Sequence, residues 1–443
     1  MKTFRLLPLF VAIGATLALP VQAQSLVDLY QSARDYDATY QSAKSQFDAT
    51  LARADQAKAL LLPTVGLSLG ASVTRLDNTL VPPPQSSTSN YNSQSATVSA
   101  SQPLYRPANR ASYEQGIKQV DLAQAQFAAA DQDLIVRVSQ AYFDVLAAID
   151  NLTFVKAQKA AVGEQLASAK RNFEVGTATI TDTREAQARF DLGTAQEIAA
   201  ENDLRVKKIA LDQLVGKVDA QPSPLAQPLS LPPLAPNDVN AWVAQADSNH
   251  PGIRQSQVAL DVAQLETQKA QAGHKPTLDL TAGYNLTQNN GTASTAMDYR
   301  TNAATVGLAF NLPLFAGFAI QNRVRETLAL QDKARSDLEA TKRAVAQGTR
   351  AAFFGVESGQ AQVKALEAAE ASSQSALDAN KLGYQVGVRI NIDVLNSQSQ
   401  LYDTKARLAK ARYDVLLGSL KLRQASGTLQ AQDLQGVNAL LAK

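Results

Sequence analysis

The chain has 443 residues, with 42 Lys and Arg against 40 Asp and Glu, a formal charge of +2, two histidines, one tryptophan and no cysteine. Near-neutral charge implies neither a nucleic-acid partner nor an acidic substrate, and the missing cysteine excludes disulfides, thiolate metal sites, a catalytic thiol and a lipidated N-terminal cysteine. Length alone suggests two or three domains, but recurring Ala, Gln, Ser, Leu and Asp suit long, closely packed helices better than a compact globule.

Residues 1–23 have a basic start (Lys2, Arg5), an apolar run from Leu6 to Leu19 and a small-residue site ending at Ala23, the three parts of a secretory signal peptide. That run is too short for a membrane helix, and no later segment offers the roughly 20 continuous apolar residues one needs. An exported chain without an α-helical anchor is expected. A helix is expected over 25–61. Strict alternation follows, with Val65, Leu67, Leu69, Ala71 and Val73 set against Thr64, Gly66, Ser68, Gly70 and Ser72, and then with Ala96, Val98, Ala100 and Leu104 set against Ser95, Thr97, Ser99 and Ser101. Period two predicts β-strands. Helices are expected over 108–173 and 182–215, a proline-rich linker over 221–237, and a further helix over 239–273. Alternation returns at Leu278, Leu280, Ala282, Tyr284 and Leu286, and at Ala304, Val306, Leu308, Phe310, Leu312 and Leu314. Helices over 317–384 and 391–425 complete the chain, the longest reaching on the order of 100 Å at about 1.5 Å per residue. Between paired strands, the polar segments 77–92 and 288–300 are expected to be surface loops.

The order of elements repeats. Phe173-Glu-Val-Gly176 returns as Tyr384-Gln-Val-Gly387, an offset of 211 residues that holds without a gap from Tyr142 against Phe353 to Gly216 against Gly427. Leu62-Pro63-Thr64 answers Lys275-Pro276-Thr277, with the offset drifting by a residue or two. Residues 24–220 and 238–443 thus form two structural repeats joined by the linker.

Half-buried soluble hairpins would explain the strands. The Ser, Thr, Gly and Asn faces suit a watery lumen better, and Tyr91, Tyr105, Tyr284, Tyr299 and Phe315 lie where an aromatic girdle would fall. Four strands cannot close a barrel, and open edges in lipid leave backbone groups unpaired. Other copies of the chain must complete it. In the last helix Leu401, Leu408, Val415 and Leu422 recur every seven residues, with Phe190, Glu197, Leu204 and Leu211 equivalent in the first half. Such heptads predict coiled-coil packing. The expected class is mainly α with membrane β: long coiled-coil-like helices, four strands and an internal duplication.

Residues Phe173 to Asp182, Gly273 to Thr281, Val306 to Pro313 and Gly383 to Gly387, continuing to Asp393-Val-Leu395, resemble the TolC family of outer-membrane efflux and secretion channels. The resemblance runs through nearly all of the mature sequence in family order. It implies a homotrimer whose twelve strands form one outer-membrane barrel, and whose helices continue as a periplasmic tunnel tapering to a closed tip. It further implies a passive exit duct for tripartite efflux pumps or type I secretion. The implied partners are a periplasmic adaptor and, through it, an inner-membrane pump or ABC exporter. No cofactor is expected.

Gly176 and Gly387 end long helices where a left-handed backbone is needed. Asp182 is expected to cap the next helix, and Asn391 and Asp393 to start its counterpart. By resemblance, Thr181 and Asp182 on one hairpin, and Tyr384 and Arg389 on the other, carry the links that close the tip, and Asp393 forms a ring of three carboxylates in the narrowest opening. Two positions depart from the family. Asn396 stands where relatives place a second acidic ring, and Lys381 stands opposite Gln165 where relatives place a Glu. Val175-Gly176-Thr177 and Val386-Gly387-Val388 resemble the sequences where the adaptor docks, although the valines would also simply pack the turns.

An exported enzyme is one rival reading, but His250 and His274 have no carboxylate or Ser arrangement of a triad or metal site. A periplasmic coiled-coil adaptor is the other. It would lack lipid-facing strands.

Overall fold

A computed structural model describes residues 24–80, 85–226, 228–292 and 297–442. The expected signal peptide, 1–23, lies outside the described residues. Two very long helices dominate, α3 (Pro107–Glu174, 68 residues) and α7 (Ala319–Gln385, 67 residues). Each is followed by a shorter antiparallel partner, α4 (Ile180–Val215) and α8 (Asn391–Ala425). The 211-residue offset reappears in the backbone. Gly176 and Gly387 have φ of 80° and 81°, and Gly216 and Gly427 have φ of 68° and 71°.

Two expected helices are each broken in two. The segment 25–61 becomes α1 (Leu26–Tyr36) and α2 (Ala38–Ala59), because Asp37 leaves the helical region and caps α2 by accepting from Tyr40 N–H at 2.8 Å. The segment 239–273 becomes α5 (Val239–Asn249) and α6 (Pro251–Gln271). Pro251 pushes His250 out of the helical region and then serves as the first helical residue. A short α9 (Asp433–Asn438) was not expected.

The strands β1 (Thr64–Leu80), β2 (Gln85–Tyr105), β3 (Thr277–Asn290) and β4 (Asp298–Asn311) form one antiparallel sheet in sequence order. The expected loops are largely strand: β1 and β2 stay paired out to Leu80 and Gln85, and β3 and β4 to Asn290 and Asp298. A ladder needs only backbone partners, so once both faces are polar the alternation disappears while the pairing continues.

Register sorts the two faces. Val65, Ala100, Ala282 and Val306 form one cross-strand row, and Leu67, Val98, Tyr284 and Ala304 the next. Gly66, Ser99, Gly283 and Thr305 form a row on the opposite face, where Thr97 donates to Asn285 Oδ1 at 2.9 Å. Among the described residues nothing covers the apolar face: Val73 is 81% exposed and Val306 79%. The same register corrects the aromatic girdle. Tyr91 pairs with Thr74 and Tyr299 with Asn289, both on the polar face, whereas Tyr105 faces Leu278 on the apolar side after a bulge. Phe315 stacks edge-on against Phe318 just below β4, 5.5 Å between ring centres.

The sheet is fastened to the helices by a two-pronged contact. Arg106, at the start of α3, donates from Nε to Asp279 Oδ1 at 2.8 Å and from Nη2 to Oδ2 at 2.5 Å. The main apolar core surrounds the middle of α3, where Leu134, Ile135, Tyr142 and Phe143 meet α1, α4, α8 and α9. The proline-rich segment is anchored to this core: Ala226 N–H donates to Leu440 O, and Tyr142 Oη to Ser223 O at 2.8 Å. The heptad leucines of α8 are buried, but α4 keeps Leu192, Ile198, Val206 and Ile209 exposed on a further face.

Candidate functional site

The far end of the two hairpins gathers the residues singled out in the sequence. On the first hairpin α3 stops at Val175, and Gly176 takes the left-handed turn that a side chain disfavours. Thr177 N–H then donates back to Asn172 O at 2.8 Å. The next helix is capped by Thr179 rather than Asp182. Asp182 N–H donates to Thr179 Oγ1 at 3.2 Å, and the Asp182 carboxylate accepts from Thr179 N–H at 3.0 Å and from its hydroxyl at 2.7 Å. Asp182 is therefore the third residue of a reciprocal capping box. Its expected place as the cap fails because Thr179, three residues earlier, supplies the hydroxyl.

The second hairpin copies the turn with weaker chemistry. Val388 N–H donates to Gly383 O at 2.9 Å across Gly387, but Ile390 stands where Thr179 stands and has no hydroxyl. Asp393 accepts from Ile390 N–H at 3.5 Å, a marginal bond. Asn391 turns inward, only 2% exposed. Its carboxamide accepts from Gln165 Nε2 at 2.5 Å and donates from Nδ2 to Asp182 O at 3.3 Å, bridging α3, α8 and α4. Gln165 thus meets Asn391 within the chain. Lys381 is exposed on the surface of α7.

Two more contacts cross between hairpins. Asn172 Nδ2 donates to Tyr384 Oη at 3.2 Å, and Arg189 Nη2 donates to Asn396 Oδ1 at 3.0 Å. Arg389 packs its stem over Gly383, where a methyl group would sit 2.6 Å from Arg389 Cγ, and its guanidinium lies 3.8 Å from Asp393 Oδ2. Among the described residues of one chain, no hydrogen bond or ion pair joins Thr181 or the Asp182 carboxylate to Tyr384 or Arg389. Val175, Val386 and Val388 protrude, two-thirds exposed or more, with Gly176, Thr177 and Gly387 around them. Asn391, Asn172 and Arg189 were not among the expected site residues. The counterpart of Asn391 in the first repeat, Ile180, is about half exposed, so the repeat gives no signal for its inward turn.

No group of three or more His, Asp or Glu among the described residues is placed to hold a metal. No helix among them is long and apolar enough to cross a membrane. What remains is a duplicated pair of long hairpins under a sheet with one bare apolar face. The outer membrane efflux protein family matches this chain over residues 29–217 and 242–428, one match per repeat.

The chain belongs to the outer membrane efflux protein family.

Its relatives agree in sequence and in shape. The outer membrane protein TolC of Vibrio cholerae serotype O1 is 35% identical over 437 residues, covering 98% of this chain and 98% of the relative. AprF, an alkaline protease secretion protein of Pseudomonas aeruginosa, is 31% identical over 421 residues, covering 94% of this chain and 87% of AprF. The crystal structure of VceC, an outer membrane protein of Vibrio cholerae, superposes with a TM-score of 0.75 at 19% identity, covering 91% of this chain and 96% of VceC, a likeness of fold. This efflux-family protein is thus an outer-membrane protein. Its sheet lies in the membrane and its helices extend into the periplasm, the arrangement that the bare apolar face demands.

Proposed function

We propose that three copies of this chain close a twelve-stranded barrel in the outer membrane and continue it as a helical tunnel. The assembly is a passive exit duct for tripartite efflux pumps, for type I protein secretion, or for both. The observation that carries this reading is the four-stranded sheet with one exposed apolar face, one Ser, Thr and Gly face, and two unpaired edges, β1 and β4. Such edges are tolerable in lipid only when another copy pairs with them. The exposed apolar residues of α4 supply a second seam for a neighbouring copy. A secretion relative such as AprF supports the type I role, and the family's description supports efflux. A periplasmic adaptor made of coiled coils would have no use for the bare sheet.

In this reading the tip is the gate. Thr181 and Asp182 link to Tyr384 and Arg389 between neighbouring hairpins of the trimer, with Gln165 and Lys381 flanking them. Asp393 and Asn396 line the narrowest opening. Val175, Gly176, Thr177, Val386, Gly387 and Val388 form the surface on which a periplasmic adaptor docks, bringing an inner-membrane pump or ABC exporter with it. Helix-in-groove contact suits two adjacent helix ends carrying exposed valines.

The chain contains no cysteine, so disulfide trapping tests the assembly without background. Thr305→Cys on β4 is combined in turn with single cysteines scanned along β1 from Thr64 to Val73. Covalent trimers at one register, and dimers on partial oxidation, are expected. Monomers at every register contradict the closed barrel.

A further inference from the structure

The tip carries a cation, Arg189, that no carboxylate pairs with among the described residues of the chain. On α8, Val394, Leu395, Gln398 and Leu401 are buried, while Asp393 and Asn396 lie on the side away from them, three residues and about 4.5 Å of helix axis apart. Asp393 already has a cation nearby, Arg389 at 3.8 Å. Asn396 is neutral, and its carboxamide oxygen receives Arg189 Nη2 from α4 at 3.0 Å. A carboxamide fixes the position of the guanidinium without cancelling its charge, and arginine is a permanent cation. Arg189 makes no ion pair within 4 Å among the described residues. Further from the tip, α3, α4 and α8 line an open groove of about 620 Å³, and Arg189 is among its lining residues.

We propose that Arg189, held by Asn396, determines the ion preference of the constriction: a ring of three guanidinium groups beside the three Asp393 carboxylates lets anionic solutes pass. This rests on the reading of Asp393 as the constriction ring. Arg389 lies near Asp393 and, in the proposed gate, is shared with Asp182, so Arg189 is the guanidinium left without a carboxylate partner. Rings of like charge govern which ions enter a pore, and a narrow, low-dielectric opening magnifies each charge. An acid at position 396 would cancel Arg189. The asparagine leaves it uncompensated.

The test is the reversal potential of the full-length trimer in planar bilayers under a KCl gradient. Arg189→Gln keeps a hydrogen-bond donor for Asn396 and removes the charge, and it is expected to raise the K⁺ over Cl⁻ permeability ratio about twofold or more. Arg189→Lys, which keeps the charge, is expected to stay near wild type, an outcome that a merely structural role for the arginine does not produce. Asn396→Asp is expected to raise the ratio as well, but its own added carboxylate does so with or without Arg189, so Arg189→Met, which also removes the charge, stands in if Arg189→Gln does not insert. An unchanged ratio in Arg189→Gln, or in Arg189→Met where it stands in, with a fall in Asp393→Asn, overturns the role of Arg189 and leaves the Asp393 ring standing. An unchanged ratio in Asp393→Asn also removes the ring, and the proposal with it.

Discussion

Asn391 donates its carboxamide to the backbone carbonyl of Asp182 at 3.3 Å, tying the start of α8 to the start of α4. With Gln165 on its other side, this nearly inaccessible residue holds three helices at the point where the hairpins must move if the tip opens. Asn391→Ala removes two partly buried hydrogen bonds and leaves Gln165 without its partner, at a cost of about 1–3 kcal/mol. Raised conductance or more frequent openings in single-channel records are expected, with Gln165→Ala showing a smaller effect in the same direction.

The Arg106–Asp279 contact joins barrel to tunnel, so its loss acts on assembly rather than on gating. Arg106→Ala leaves a nearly buried carboxylate with no cation, and the half-exposed arginine limits the loss to about 1 kcal/mol per chain. A lower temperature for trimer dissociation in detergent is expected, with single-channel conductance unchanged.

Acidity acts on two carboxyl groups in opposite directions. The Arg137 hydrogen bond, together with Tyr40 N–H, holds the Asp37 carboxyl below the usual carboxylate range. Its contribution to stability is present above that range and is lost as pH falls through the lowered folded-state value. Burial beside Tyr413 pushes Asp150 up, against the hydrogen bond that Tyr413 donates at 2.7 Å. Its ionisation therefore destabilises the fold as pH rises through the raised value. Asp37→Asn is expected to lower the melting temperature at neutral pH and to matter less in acid. Asp150→Asn is expected to raise it at neutral pH and to leave it unchanged in acid. Thermal melts across pH check both.

Much of the architecture was legible because it depends on local pattern. The duplication, the long helices and the glycine turns at 176 and 387 follow from register and from the backbone freedom of glycine. The break at Pro251 was missed although a residue before proline avoids the helix, and the break at Asp37 joins a local cap on Tyr40 N–H to a tertiary partner, Arg137 from α3. The strands run further than their alternation because Ser, Thr and Asn pair as well as Val once both faces are wet. Counting odd and even positions would have moved Tyr91 and Tyr299 off the apolar face. At the tip, the Thr179-x-x-Asp182 box was readable as a cap. The inward turn of Asn391 and the reach of Arg189 to Asn396 were not, because they depend on how two hairpins lie against each other.

Planar-bilayer recording of the purified trimer tests the gated conduit most directly. Wild-type chains are expected to insert as discrete conductance steps, and Asp182→Ala and Arg389→Ser to raise the size of each step by loosening the tip. Absence of steps, or steps unchanged in both variants, contradicts a channel closed by those links.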